Sequence, residues 1–254
     1  MKKIPFRYMI VFAAAIALLV FSTVKSAQAL PTYVSGEYTT EFKMYHIGVA
    51  LWEGSEIVNY KSYNSGDETW HVNSVEDGTL FRGKEDALGA GETVSANVHV
   101  SNMGSIDEYV RLVIYKYWTD GKGNKQYGLD PRLIHMDFQG EKWLLDETNS
   151  TEEMYVLYYT EPLSFGEDPG VTSDLTIMLS LDGEIKKEYS VIEVDTTTLE
   201  YRYKYDGMAV RVEIEADGVQ EHNAQDAIKA AWGREVSISD SLSGSGLTAV
   251  GTGG

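Results

Sequence analysis

The run from Val94 to Trp118 constrains this chain more than any other stretch. Val94, Ala96, Val98 and Val100 alternate with Ser95, Asn97 and His99, the period of two that gives a strand one buried face and one wet face. Ser101 to Asp107 then collects Ser, Asn, Gly and Asp, residues that tolerate reversal of the chain. Tyr109 to Trp118 resumes in β-branched and aromatic residues, which favour strands. Two long strands joined by a turn predict the middle of an all-β domain.

The start of the chain reads as an export leader. Lys2, Lys3 and Arg7 precede an apolar run from Tyr8 to Phe21, and Ala27-Gln28-Ala29 supplies small residues at a cleavage site. The run falls short of the roughly 20 residues that span a bilayer. Residues 1–29 are therefore expected to be removed, leaving Leu30 first and about 225 residues, a size that one all-β domain can fill. Four of the 21 basic residues and none of the 39 acidic ones precede Leu30, so cleavage takes the net charge from −18 to −22. Such a surface repels nucleic acid and anionic lipid. Cysteine is absent, which excludes disulfides, thiolate metal sites and a cysteine nucleophile.

Residues 30–40 are polar, contain Tyr33 and Tyr38, and show no clear periodicity, so this N-terminal segment is expected to be loosely held in a monomer. From Glu41 to Trp52 the apolar residues Phe42, Met44, Ile47, Val49 and Leu51 change phase at Gly48, which predicts a bulge there. Gly54 to Leu88 is weakly patterned and reads as short strands and surface loops. Further strands are predicted at Trp143 to Leu145, Met154 to Tyr159, Leu175 to Leu181, Tyr189 to Val194 and Val210 to Ala216, spaced as in a sandwich or barrel. Asn223 is placed to cap a helix that runs to Trp232 with Gly233 as its stop. Residues 239–254 are mostly Ser, Gly and Thr, the composition of a flexible tail.

No constellation of catalytic residues stands out. The five histidines, His46, His71, His99, His135 and His222, form no H-E-x-x-H, and no G-x-S-x-G is present. Trp52, Trp70, Trp118 and Trp143, with seventeen tyrosines, are candidates for a sugar-stacking platform or for ordinary core packing. Asp120, Asn124 and Asp130, or the Glu167-Asp168 turn, offer oxygen ligands suited to calcium or are simply solvated. Arg111, between Val110 and Leu112, is positioned either to pair with an acid on the next strand or to face solvent. Catalytic, cofactor-binding and metal-binding residues are accordingly all assigned as none, and no cofactor is expected.

The segment LGAGETVSANVHVSNMGSIDEYVRLVIYKYW resembles TasA and camelysin-type exported matrix proteins. The likeness is carried by Gly91-Glu92 before Val94, by Val100-Ser-Asn102-Met-Gly104-Ser105, and by Tyr109-Val110-Arg111. Asp217 to Gly233 is similar to the end of exported relatives in Gram-positive anaerobes. The family implies an antiparallel jelly-roll-like β-sandwich, export through a dedicated signal peptidase of the SipW-dependent type, and assembly into extracellular fibres of a biofilm matrix. Leu30-Pro31-Thr32-Tyr33 departs from the aromatic-rich start associated with TasA itself.

The expected organisation is a leader over 1–29, a candidate donor strand over 30–40, an all-β sandwich over 41–238 with a short helix near 223–232 and irregular loops, and a tail over 239–254. The expected role is that of a secreted, non-catalytic fibre subunit at the cell surface or in the matrix. A sandwich short of one strand leaves unpaired backbone groups that a strand from another chain can fill, and head-to-tail repetition of that contact builds a filament. Self-association is thus the expected partnership, together with other matrix components, without nucleic acid and without membrane once the leader is gone. The alternatives are an extracellular carbohydrate-binding module and a camelysin-like metallopeptidase.

Overall fold

Along Thr93–Asn102 the side chains of Val94, Ala96, Val98 and Val100 are buried and those of Thr93 and Asn97 are exposed, so the alternation read in the sequence has become a strand with one core face. The computed structural model describes residues 45–64, 69–74, 80, 81, 83, 84, 88–166, 170–193 and 199–251, with Ala13 and Ala14. The donor segment expected over 30–40 lies outside the described residues, as does the leader apart from those two alanines.

In chain order the strands are β1 (Gly48–Glu53), β2 (Glu56–Asn64), β3 (Thr69–Ser74), β4 (Thr93–Asn102), β5 (Glu108–Thr119), β6 (Ile134–Gln139), β7 (Trp143–Asp146) and β8 (Met154–Tyr159). They continue as β9 (Leu175–Leu181), β10 (Tyr189–Glu193), β11 (Leu199–Tyr203), β12 (Ala209–Gln220), β13 (Ser237–Ile238), β14 (Leu242–Ser243) and β15 (Leu247–Ala249), with the helix α1 (Ala224–Trp232) between β12 and β13. A six-stranded sheet runs β3-β2-β1-β4-β9-β6 and a five-stranded sheet runs β12-β5-β8-β7-β15. Every pair of neighbouring strands is antiparallel. The fold is all-β, two antiparallel sheets packed face to face.

One continuous core lies between the sheets, with Val49, Leu51, Val98, Ile177 and Leu179 from the first facing Val110, Leu112, Ile114, Leu157 and Ile214 from the second. Full burial of each such aliphatic side chain stabilises the fold by about 1.5–3 kcal/mol. The outer face of the second sheet is covered as well. Tyr109, Val113, Val156, Tyr158 and Val219 pack against Ala224 and Ile228 of α1 and against Leu242. A strand buried on both faces has no polar alternation to show, which is why Tyr109 to Trp118 reads as nearly unbroken apolar sequence.

Three local expectations are corrected. At Gly48 there is no bulge; the register shifts between Leu51 and Trp52 instead. Glycine at 48 accommodates a close approach, since a β-carbon would stand 3.2 Å from the carbonyl carbon and oxygen of Met103. Asn223 precedes α1 but makes no side-chain cap, since the tight exit from β12 holds it left-handed at φ 56°, a region that asparagine tolerates. Gly233 does end the helix, at φ 68° with its N–H bonded to the Lys229 carbonyl.

The third correction concerns residues 239–254, expected as a flexible tail. β15 pairs with β7 through Leu247↔Asp146, Thr248↔Leu145 and Ala249↔Leu144, and Gly251 then bridges to Gln139 of β6. The holding point is Asp146, fully buried at the end of β7. Arg234, just past α1, sets Nε 2.9 Å from Asp146 Oδ2 as an ion pair whose N–H is not aligned as a hydrogen bond, and its Nη2 donates to the Ser245 carbonyl. The β6 flank of one sheet is thereby stitched to the β15 flank of the other.

Candidate functional site

The opposite flank is where the two sheets part. β12 pairs with β5 over its whole length, from Ala209↔Thr119 to Gln220↔Glu108, and among the described residues no strand pairs with its outer edge. At the far end of the same sheet β15 occupies the edge of β7. Among the described residues, one terminal edge of this sheet is thus covered by the C-terminal strand, and the N–H and C=O groups on the outer side of β12 have no strand beside them.

Beside that edge runs a cleft of about 640 Å³ between Val58, Phe81, Val94 and Leu179 on one side and Ala209 to Ile214 on the other. Val210 and Val212 are only partly covered, whereas Ile214 is buried. The side chains of β12 that point toward the first sheet lose their cover progressively toward Ala209. Arg211 and Glu213 point the other way and pair with each other at 2.8 Å, with Tyr117 donating to Glu213 at 2.9 Å. The site is an unpaired strand edge above a half-filled apolar slot, rimmed by charge.

The C-terminal half of β12 closes onto β1 around a buried carboxyl. Glu108, the first residue of β5, is fully buried. Its Oε1 accepts the Gly48 N–H at 3.1 Å, and its Oε2 has no hydrogen-bond partner. Glycines make the space for it: a β-carbon at Gly104 would collide with Oε1, and one at Gly218 with Oε2. Burial pushes this carboxyl up to about 8, although the backbone N–H groups of Gly48 and Gly104 favour its charged form. It is a neutral acid through most of the acidic and neutral range.

The turn between β4 and β5 holds the incoming chain at this point. Asn102 donates through Nδ2 to the carbonyls of Ile106 (2.8 Å) and Leu163 (3.0 Å), and its Oδ1 accepts the Gly104 N–H at 2.7 Å. Residues 46–48 are tied to that turn by His46 N–H to Ser105 Oγ (2.8 Å), Ser105 N–H to the His46 carbonyl (2.9 Å) and Met103 N–H to the Gly48 carbonyl (2.7 Å). The N-x-G-S motif is thus a clamp on the start of β1. Ile47 and Val49 stand next to Gly218, each 3.1 Å from the place of a β-carbon there, behind the Glu108 carboxyl.

Arg111 pairs with an acid across the strand, the first of the two alternatives read for it. Asp217, directly opposite on β12, accepts Arg111 Nε (3.1 Å) and Nη2 (3.0 Å) on Oδ2. Its other oxygen takes Lys61 of β2 at 2.5 Å, which links the two sheets where they begin to part. The guanidinium also lies 5.0 Å from the Trp232 ring centroid, a stacking contact suited to arginine.

The other candidates are dispersed. His46, His71 and His222 are exposed, His99 stands 3.5 Å from Asp174, and His135 bonds to Asp182 at 3.0 Å. No group of three His, Asp or Glu side chains with metal-binding geometry occurs among the described residues. Trp118 and Trp143 are core residues, and Trp52 lies against His99 with its Nε1 donating to Ser101. The side chain of Trp70 and the Glu167-Asp168 turn lie outside the described residues. Asp120 is engaged by the side chain and N–H of Asn124 and by the N–H of Lys122, and Asp130 by Arg132, whose hydrogen bonds hold its carboxyl down to about 2. All three residues of that candidate calcium set, Asp120, Asn124 and Asp130, thus already make hydrogen bonds within the protein.

Glu108 and Asp146 escaped the sequence reading, as did the role of Lys61. A usable signal was the acid placed at the head of a largely apolar strand, four residues after Gly104. No family model matches the chain, and no curated protein matches it.

Proposed function

We propose that this protein is an exported structural subunit of an extracellular or cell-surface fibre, in which an extended segment of one copy adds to the β12 edge of the next. The observation that carries the reading is a twelve-residue edge with no strand beside it among the described residues, together with an apolar cleft directly beneath its first half. Main-chain bonds along such an edge supply affinity, and pockets for alternate side chains supply register. The donor is the segment over residues 30–40, freed by removal of a leader. Repetition is head to tail, so the contact does not close and a filament grows. A jelly-roll-like winding of the two sheets belongs to the same proposal.

The likeness of residues 88–118 to TasA and camelysin-type matrix proteins supports this reading. So does the chemistry of the surface: without the leader, 39 acids against 17 bases give an excess of 22 negative charges, which disfavours unspecific adhesion between copies, so that association depends on a built contact. Non-catalytic action is part of the proposal.

The test is negative-stain electron microscopy of the chain beginning at Leu30 beside the chain beginning at Glu41. Filaments are expected from the first and monomers from the second. Monomers from both, across pH, salt and concentration, would refute strand insertion by this segment.

A further inference from the structure

Leu112, Ile114 and Trp118 of β5 point into the core between the sheets, and the period of two puts Lys116 on the same face. Lys116 is 3% exposed. Its ammonium donates to the Ile134 carbonyl of β6 and lies 5.3 Å from the centroid of the Tyr155 ring on β8. Among the described residues no carboxylate is close enough to form an ion pair with it. Burial lowers its proton affinity, against which the more distant charges of Glu152, Asp130, Asp137 and Glu153 act. An ammonium has three N–H groups, of which one is bonded here, and burying it without a counter-charge is costly.

Lys116 lines a cleft of about 480 Å³ between β5 and β8 of one sheet and β6 and β9 of the other, a size suited to a small molecule. Its ionisable lining is Lys116, Arg132, His135, Asp137, Glu152 and Tyr155. Arg132 gives Nε and Nη2 to Asp130 and stands 3.9 Å from Glu152, and His135 is bonded to Asp182. Asp137 is exposed and makes no hydrogen bond or ion pair among the described residues. The cleft thus holds one ammonium without a counter-charge on its buried side and one carboxylate without a counter-charge on its exposed side. Met136 and the Tyr155 ring give it an apolar wall, and the Tyr155 and Ser180 hydroxyls give it further hydrogen-bonding groups.

We infer that this cleft binds a small zwitterion, with its carboxylate on Lys116 and its amine toward Asp137 and Glu152. A carboxylate supplies what the buried ammonium lacks, a charged acceptor for its remaining N–H groups, and charge-assisted bonds of this kind are roughly twice as strong as neutral ones. A simple anion brings that carboxylate too, but it enters past Asp137 and Glu152 on a chain with 39 acids and 21 bases, which oppose its charge. A simple amine meets those two acids and leaves Lys116 without a counter-charge. A ligand carrying both charges satisfies both groups, so selectivity comes from rejection as well as attraction. The inference stands on the cleft alone and does not depend on strand insertion at β12.

Calorimetric titration of the chain beginning at Leu30 tests this, with glycine, β-alanine and γ-aminobutyrate as zwitterions of increasing span and with acetate and butylamine as single-charge controls. At least one zwitterion is expected to saturate the protein with a dissociation constant of about 1 mM or lower, about tenfold tighter than either control. Asp137→Asn should weaken that binding about tenfold. Because Asp137 is exposed, this variant is expected to fold, and circular dichroism checks it. Lys116→Met keeps an unbranched side chain in the core and should abolish the binding. Failure of all three zwitterions to saturate the protein overturns the proposal. Acetate binding as tightly as the zwitterion makes the cleft a plain anion site and equally overturns it, and unchanged affinity in Asp137→Asn does the same by placing the amine elsewhere.

Discussion

The carboxyl of Glu108 lies so close to Gly218 that a β-carbon on Gly218 would overlap its Oε2. The two residues sit on adjacent strands and are 110 positions apart in the chain. An ionisable group has been sealed in where β1, β5 and β12 meet. The consequences are measurable.

Replacing Glu108 by Gln should change how stability depends on pH. The folded state holds the Glu108 proton more tightly than the unfolded chain does, with an affinity raised from 4.5 to about 8. Its contribution is therefore complete below about pH 4.5 and declines as pH rises toward 8, at about 1.4 kcal/mol per unit. Glu108→Gln keeps the shape and removes the titration. Relative to wild type it should be neutral or slightly destabilising at pH 5 and stabilising by a few kcal/mol at pH 9. Urea unfolding at both pH values reads this out, and parallel pH profiles for the two proteins would contradict it.

Alanine at two of the glycines should behave differently once Glu108 is shortened. At Gly218 a methyl meets the Glu108 carboxyl first and then Ile47 and Val49 side-chain carbons at 3.1 Å; at Gly104 it also meets the His46 carbonyl at 2.7 Å and the Gly48 nitrogen at 3.0 Å. Each single substitution should cost about 3 kcal/mol or more through overpacking. Combining it with Glu108→Ala should recover a large part of the loss for Gly218→Ala and little for Gly104→Ala, because side chains yield and backbone does not. A double-mutant cycle measured by denaturant unfolding decides between these outcomes.

Arg234→Ala should release the C-terminal strand. It leaves Asp146 buried with only the Thr148 and Asn149 N–H groups and the Asn149 side chain as partners, and removal of one member of a buried ion pair costs about 3–5 kcal/mol. Loss of hydrogen-exchange protection is expected at Leu247–Ala249 before any loss in β4 or β5. Retained protection at β15 would show that its pairing with β7 holds without the arginine.

Local periodicity determined much of this protein. The alternation over Val94 to Val100, the aromatic and β-branched run after it and the helical segment ending at Gly233 all specify their own secondary structure, because the side-chain direction of a strand or helix follows from nearest neighbours alone. From these the all-β class and the short helix were legible, while Arg111 was left between a cross-strand acid and solvent. Tertiary structure alone decided the rest. Residues 239–254 have the composition of a linker, yet Leu247–Ala249 form a strand because β7 offers an edge and Arg234 reaches Asp146. Gly48 reads as a bulge and is in fact a close approach to Met103. Glu108 drew no reading from the sequence; its burial brings together Gly48, Gly104 and Gly218 from separate parts of the chain, and no window of sequence contains that convergence.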